Sequence, residues 1–198
     1  MKKVLAIVAH PDDETIWMGG LLLKNPDWKW TIFSLCRKKD SDRMPKFINV
    51  CKAYGAKAII GDLDDEKLLP LNIDELCKFI LDKISSEKYD YIFTHGKNGE
   101  YGHIRHKEIH LAVKKLVDEK MLRTDKVYYF SYIPSDRMAP HNKELAIPVA
   151  NQNADMIIEL DENYFAKKYN IITKLYGFKD GIFETLSCGK KEAFLNGR

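Results

Sequence analysis

The chain has 198 residues, of which 45% are hydrophobic and 31% charged, a composition typical of a globular protein with one buried core. Its formal net charge of +3 is too small to indicate nucleic-acid binding, and no basic stripe interleaved with aromatic residues is present. No apolar run is long enough to span a membrane or to act as a secretory leader, so we expect a cytoplasmic protein. The 4 cysteines form no C-x-x-C pair and are expected to be reduced.

Strand-like and helix-like segments alternate along the chain. Strands are predicted over residues 2–9, 30–36, 57–60, 89–94 and 127–132, and helices over residues 14–24, 43–54, 72–86 and 103–119. This alternation predicts parallel βαβ units with right-handed crossovers. We therefore expect an α/β fold, a Rossmann-like three-layer α/β/α sandwich with a mostly parallel sheet, formed by residues 1–198 as a single domain.

The last third of the chain has weaker patterns. Residues 133–153 contain three prolines and little periodicity, which predicts a long loop near the site. Residues 156–160 are predicted to form one more strand. A helix is predicted from Asp161, as its N-cap, to Tyr176.

A histidine and three carboxylates follow the first predicted strand directly, in the stretch AHPDDE at residues 9–14. Ligands in open α/β sheets bind at the carboxyl ends of the strands, whereas a turn alone would use Gly, Asn or Ser. Adjacent aspartates beside a histidine repel each other unless a cation lies between them. The stretch therefore favours a divalent-metal site over a polar helix cap. It also lacks the G-x-G-x-x-G pattern that a dinucleotide-binding turn requires, so an NAD-dependent enzyme is not expected.

A second polar segment follows the strand predicted at residues 89–94. Three glycines within residues 96–102 allow the backbone to come close to a ligand. His103 and His106 are three residues apart at a predicted helix start, so both can point the same way. Because the carboxyl ends of parallel strands share one sheet edge, we expect both segments to meet. Two imidazoles and one carboxylate are a common ligand set for a catalytic metal.

Together, residues 9–14 and the segment Gly99-Glu-Tyr-Gly-His-x-x-His106 resemble the PIG-L/LmbE-like family of zinc-dependent N-acetylglucosaminyl deacetylases. The resemblance spans most of the chain and extends weakly to residues 167–168 and 191–194. It implies the fold predicted above, a Zn²⁺ cofactor that another divalent metal could replace, and a small-molecule amino-sugar conjugate as substrate. Relatives often form oligomers, so the resemblance also implies a homo-oligomer.

The resemblance implies roles for individual residues by motif position. His10, Asp13 and His106 would be metal ligands, Asp12 the general base and His103 the histidine that stabilises the oxyanion. Arg43 matches an arginine that the family often directs at the substrate, but it is equally compatible with a surface position at a helix start. Glu100 and Tyr101 flank the predicted metal loop and are expected to line the substrate pocket, with packing of the loop as the alternative for Tyr101. The implied reaction is hydrolysis of an N-acetyl group, in which water activated by the metal attacks the amide carbonyl while Asp12 acts as base.

One position departs from the family pattern. Much of the family reads His-Pro-Asp-His at the second motif, and Arg105 stands here in place of that Asp. A carboxylate partner would raise the pKa of His103, whereas a nearby arginine would lower it. The departure leaves the charge of His103 open and makes Glu100 a candidate for orienting it.

Other residues receive structural interpretations. His95 and His141 are assigned to loops, and Trp17 to the core. His110 is assigned to packing or to a position behind the ligands, because a catalytic metal keeps one coordination position open.

Two alternatives to a deacetylase stay open. A non-catalytic or silenced member of the same fold would keep the metal for structure, although structural zinc sites favour cysteine and no cysteine lies in the motifs. A non-haem iron oxygenase also uses two histidines and one carboxylate, but such sites usually occupy antiparallel β folds.

Overall fold

The computed structural model describes residues 1–84 and 87–197. Its strands are β1 (Lys3–Val8), β2 (Lys29–Cys36), β3 (Lys57–Leu63), β4 (Tyr89–Thr94), β5 (Thr124–Phe130), β6 (Tyr132–Ala139), β7 (Asn142–Ala150), β8 (Met156–Glu159) and β9 (Lys191–Gly197). Its helices are α1 (Asp13–Lys24), α2 (Arg43–Ala53), α3 (Ile73–Leu81), α4 (Gly99–Gly102), α5 (Ile104–Asp118), α6 (Glu162–Asn170) and α7 (Phe183–Ser187), and a π-helical turn, Ile171–Leu175, follows α6.

A seven-stranded sheet with the order β3-β2-β1-β4-β5-β9-β8 forms the centre of the protein. The first five of these strands are parallel, and β9 and β8 are antiparallel additions at one edge. Strand β1 is buried from Val4 onward, as expected of a parallel strand covered on both faces. Its residues alternate between a core beneath α1 and α2 and a core beneath α3 and α5. The predicted three-layer α/β/α sandwich is therefore confirmed.

The prediction of a long loop over residues 133–153 is wrong. This segment is largely the antiparallel hairpin β6–β7, which forms a separate two-stranded sheet. Pro134 and Pro148 lie opposite each other in the hairpin register. Because a two-stranded sheet has only edge strands, each proline can sit where no backbone N–H has to be donated to a neighbour.

Several boundaries differ from the predictions by a few residues. The helix predicted over residues 72–86 is α3, and Asn72 caps it by accepting hydrogen bonds from the N–H groups of Asp74 and Glu75. Residues 85 and 86 of that prediction lie outside the described residues. None of the helices within residues 1–84 and 87–197 combines the length and the apolar character needed to cross a membrane. All 4 cysteines are free and buried.

A buried ion pair ties the end of the chain to helix α1. The helix is kinked at Met18, whose φ of −147° is not helical. Just past the kink, the backbone N–H groups of Gly20 and Leu21 donate to the Glu192 carboxylate at 2.6 and 2.8 Å. The Lys168 ammonium, which is 0% exposed, lies 2.7 Å from the same carboxylate. Glu192 therefore satisfies amides that the kink leaves without helical partners.

Removing this carboxylate is expected to cost stability. Glu192→Ala leaves a buried ammonium and two backbone N–H groups without their acceptor, which should lower the free energy of unfolding by about 3–5 kcal/mol. Urea denaturation measures the loss. Lys190→Ala, which removes an exposed ion pair with Glu162 and a surface contact with the Phe165 ring, is the control and should change stability by less than about 1 kcal/mol. Equal losses in the two variants would contradict the role assigned to Glu192.

Candidate metal centre and active-site pocket

The polar residues of both motifs meet at the carboxyl edge of the parallel sheet. His10 follows β1, Asp65 follows β3 and His95 follows β4, while His106 lies in the first turn of α5. These side chains enter one site because parallel strands end at the same edge.

Three donor atoms form a compact triangle. His10 Nδ1 lies 3.2 Å from Asp13 Oδ2 and 3.3 Å from His106 Nε2, and the distance from Asp13 Oδ2 to His106 Nε2 is 3.5 Å. Tetrahedral zinc with bonds of about 2.0–2.2 Å holds neighbouring ligand atoms about 3.3–3.6 Å apart. The donor set and its spacing therefore fit a divalent metal such as zinc.

Both oxygens of Asp13 are held in place. The Trp17 indole N–H donates to Oδ1 at 2.9 Å, and the His10 backbone N–H donates to Oδ2 at 2.8 Å. Trp17 is buried, as expected, and its indole nitrogen also fixes a candidate ligand.

Carboxylates behind the two imidazoles determine which ring nitrogens face the triangle. Glu100 Oε2 lies 2.6 Å from His106 Nδ1, and Asp65 Oδ1 lies 2.8 Å from His10 Nε2. An ionised carboxylate only accepts hydrogen bonds, so each of these ring nitrogens carries the proton. The opposite nitrogens, His106 Nε2 and His10 Nδ1, are left to direct lone pairs at the triangle, as in metal sites with carboxylate-bound histidines.

His95, which the sequence predicts to lie in a loop, contacts the candidate ligands. It is fully buried, and its ring stacks on His106 at 3.8 Å between centroids. The Ala9 backbone N–H donates to His95 Nε2 at 2.9 Å, so His95 Nδ1 carries the proton shared with Glu100 at 2.7 Å. Its position immediately after β4, matching that of His10 after β1, was the signal that could have identified it.

The prediction that Glu100 lines the substrate pocket is wrong. Its side chain is 0% exposed, and its Oε2 lies within hydrogen-bond distance of both His95 and His106. The left-handed backbone at Glu100 (φ 56°) turns this side chain behind the site rather than into the pocket. Glu100 therefore holds imidazoles and is not placed to touch a substrate.

Asp12 borders the triangle with one oxygen available. Its Oδ2 accepts a hydrogen bond from Arg43 Nη1 at 2.6 Å, and among the described residues no partner occupies Oδ1. Burial and the neighbouring Asp13 carboxylate raise the pKa of Asp12 well above its usual range, against the opposing effects of Arg43 and His10. The residue also has a φ of 115°, a strained value of the kind that concentrates at functional sites.

His103 is neutral, although Arg105 is not the cause. Burial, His106 and His10 lower the pKa of His103 to about 3. Its Nδ1 accepts the backbone N–H of Arg105 at 3.3 Å, so the proton of the neutral ring is on Nε2. The expectation that Glu100 orients His103 is wrong, because the carboxylate near its Nε2, at 3.9 Å, is that of Asp65.

These groups open into a pocket of about 270 Å³. Arg43, Tyr101 and His103 line it. Phe183 and Glu184 of α7 line it as well, and no pattern in the sequence had marked them. His110, by contrast, lies behind the site with its Nδ1 3.0 Å from the His95 carbonyl oxygen.

Known proteins resemble this chain in sequence and in fold. An uncharacterized protein of Acanthamoeba polyphaga mimivirus is 27% identical over 186 residues, which cover 86% of this chain and 80% of the relative. N,N'-diacetylchitobiose deacetylase from Pyrococcus horikoshii superposes with a TM-score of 0.67 at 16% identity, covering 99% of this chain and 84% of the other. The 4-carboxy-2-hydroxymuconate hydratase from Pseudomonas putida superposes with a TM-score of 0.61 at 15% identity, covering 99% and 96%.

The first part of the chain also matches a family model, PIG-L, which is described as GlcNAc-PI de-N-acetylase. The match covers residues 5–117, more than half of the chain, and includes the candidate ligands, Asp12 and His103. This protein therefore belongs to the PIG-L family.

Proposed function

We propose that the protein is a divalent-metal-dependent hydrolase, with zinc as the first candidate metal. It removes the N-acetyl group from an N-acetylglucosamine-containing small molecule or glycoconjugate. Membership of the PIG-L family supports a deacetylase-type hydrolase. The fold alone does not select this reaction, since a hydratase has a similar fold.

One arrangement carries the proposal. The triangle of His10, Asp13 and His106 adjoins an available carboxylate oxygen on Asp12 and a neutral imidazole N–H on His103. Hydrolysis of an amide needs a base for water, a donor for the developing oxyanion and an acid for the leaving amine. The pocket offers a group for each of these tasks.

The side chains divide the reaction between them. A bound zinc ion would supply the Lewis acidity that polarises an amide carbonyl and acidifies water. Asp12 Oδ1 takes a proton as water attacks the carbonyl carbon, and His103 Nε2–H donates a hydrogen bond to the carbonyl oxygen as it gains charge. Asp12 then returns the proton to the amine as the C–N bond breaks, which releases acetate and a free amino sugar. No bond between enzyme and substrate forms at any stage.

We assign contacts with the sugar to two of the pocket residues. Tyr101 lies beside His103, with ring centroids 5.6 Å apart, and forms part of the wall. Arg43 reaches in from α2 with its guanidinium 4.4 Å from the Phe178 ring centroid and its Nη1 on Asp12. Arg43 therefore orients the base and presents its remaining N–H groups to the pocket.

Acetate release tests the proposed reaction. Zinc-loaded wild-type protein should release acetate from at least one conjugate in a panel of N-acetylglucosamine derivatives, as measured by an enzyme-coupled acetate assay. Chelation should abolish the release, and Asp12→Asn should lower kcat by a factor of about 10²–10⁴ because it removes the base. Asp42→Asn, which changes an exposed carboxylate at the N-terminal end of α2, is the control and should retain full activity. Acetate release that persists in the chelated sample or in Asp12→Asn would contradict the proposal.

Metal affinity tests the role of Glu100. Glu100→Gln replaces a carboxylate that serves two imidazoles and the Gly96 backbone N–H with an amide. Whichever way the amide turns, its NH2 group faces another N–H, so it holds His106 less firmly with Nε2 directed at the triangle. We expect the affinity for Zn²⁺ to fall about 10- to 100-fold, measured by competition with a chromophoric chelator. Glu119→Gln, at an exposed ion pair on the end of α5, should bind Zn²⁺ as the wild type does. Unchanged affinity in Glu100→Gln would show that the carboxylate does not control the ligand.

A further inference from the structure

We propose that Arg105 and Glu108 are positioning residues that hold Asp65 in hydrogen-bond contact with His10. The inference rests on the proposed function in taking His10 as a metal ligand. By this reasoning Arg105, which departs from the family pattern, supports the site and does not silence it. In this protein the carboxylate that holds a histidine of the site is Asp65, which follows β3, and not an aspartate at position 105 of the second motif.

Asp65 has both carboxylate oxygens engaged. Oδ1 lies 2.8 Å from His10 Nε2, and Oδ2 accepts hydrogen bonds from Arg37 Nε and Nη2 at 3.1 and 2.6 Å. Its side chain is only 6% exposed. A carboxylate in this position fixes both the tautomer and the ring orientation of His10, provided that its own backbone stays in place.

The backbone that carries Asp65 has little support of its own. Residues 64–72 form neither helix nor strand, and residues 66–70 are all exposed. Leu69 is 64% exposed, and Leu68 has a left-handed φ of 51°. A segment with so few buried apolar contacts needs polar anchors to keep one conformation.

Arg105 supplies an anchor at each end of this segment. It is 0% exposed, and its Nε and Nη2 donate to the backbone oxygen and the carboxylate of Asp64, at 2.5 and 3.1 Å. Its Nη1 donates to the Leu69 carbonyl oxygen at 2.9 Å. The planar fork of one guanidinium thus spans residues 64 and 69 from a fixed point on α5, next to His106.

Glu108 completes the anchor one turn further along α5. Its Oε2 accepts from Arg105 Nη1 at 2.6 Å, and its Oε1 accepts from the Leu71 backbone N–H at 2.7 Å. The pair thereby fastens the segment after β3 to the helix that carries His106. Asp65 and His106 are therefore held by one rigid element, which keeps His10 Nδ1 and His106 Nε2 directed at a common point.

The chemistry of the anchor makes the family's usual residue unfavourable at position 105. An aspartate there would face the Asp64 and Leu69 carbonyl oxygens and the Glu108 carboxylate, none of which can donate a hydrogen bond. Arg105→Asp should therefore release the segment rather than restore a more typical site. Lysine keeps the charge, but it cannot reproduce a fork that reaches four acceptor atoms on three residues.

Zn²⁺ affinity of the purified full chain, measured by chelator competition, tests the proposal. Asp65→Asn and Arg105→Lys should each weaken Zn²⁺ binding about 10- to 100-fold. The double variant should be no weaker than Asp65→Asn alone, because Arg105 acts through Asp65. Lys114→Ala, at an exposed ion pair on α5, is the control and should bind as the wild type does. Urea denaturation of each variant separates a loss of fold from a loss of position.

A measurement without metal keeps this inference distinct from the proposed function. In the metal-free wild type, the His10 Nε2–H proton should be visible by NMR and slow to exchange with solvent, and Arg105→Lys should speed its exchange. Wild-type Zn²⁺ affinity and wild-type exchange in folded Arg105→Lys would overturn the proposal. So would a double variant whose losses simply add. Failure to release acetate, with these results intact, would overturn the proposed function alone.

Discussion

The structure depends on pairing buried carboxylates with groups that carry or share protons. Asp13, Glu100 and Asp65 lie at or behind the carboxyl edge of the sheet, where an unpaired carboxylate would carry a large desolvation cost. Glu100 serves two imidazoles with one oxygen, and its other oxygen accepts the Gly96 backbone N–H. The hydrogen bonds that each carboxylate accepts compensate the cost of burying its charge. The same hydrogen bonds fix the orientation of a neighbouring ring. The same contacts that make burial tolerable arrange the donor triangle.

The acidic residues of the site are of two kinds: those whose carboxylate oxygens both have hydrogen-bond partners, and one with an oxygen still available. Asp65 and Glu100 have both oxygens engaged, so their contacts hold other side chains in place. Asp12 has one oxygen held by Arg43 and, within the described residues, the other oxygen without a partner. A base must be oriented and must still have a lone pair to offer, and Asp12 meets both conditions.

Local spacing explains which parts of the site the sequence predicts. His10, Asp12 and Asp13 share one turn, and His103 and His106 share one helix start, so their proximity follows from local geometry. Asp65 and His95 reach the same site only because of the order of the strands in the sheet and the course of the loop after β3. Neither can be read from the spacing of residues along the chain. The partners of Arg105 were equally hidden. Its backbone acceptors on Asp64 and Leu69 lie 41 and 36 positions earlier in the chain, so spacing within α5 does not reveal them.

The parts of the chain beyond the family match stabilise the parts within it. Helix α1 begins at Asp13 and is kinked at Met18. Past the kink, two backbone N–H groups of α1 donate hydrogen bonds to Glu192 of β9, and Lys168 of α6 is the counter-ion of that carboxylate. Glu14, also in α1, is buried and accepts hydrogen bonds from the Tyr176 hydroxyl and the Asp12 backbone N–H. The first of these contacts joins α1, next to the candidate ligand Asp13, to Tyr176 at the end of the π-helical turn. A strained φ such as the 115° of Asp12 persists only where surrounding contacts determine it. Here Glu14 holds the Asp12 backbone N–H and Arg43 holds the Asp12 carboxylate.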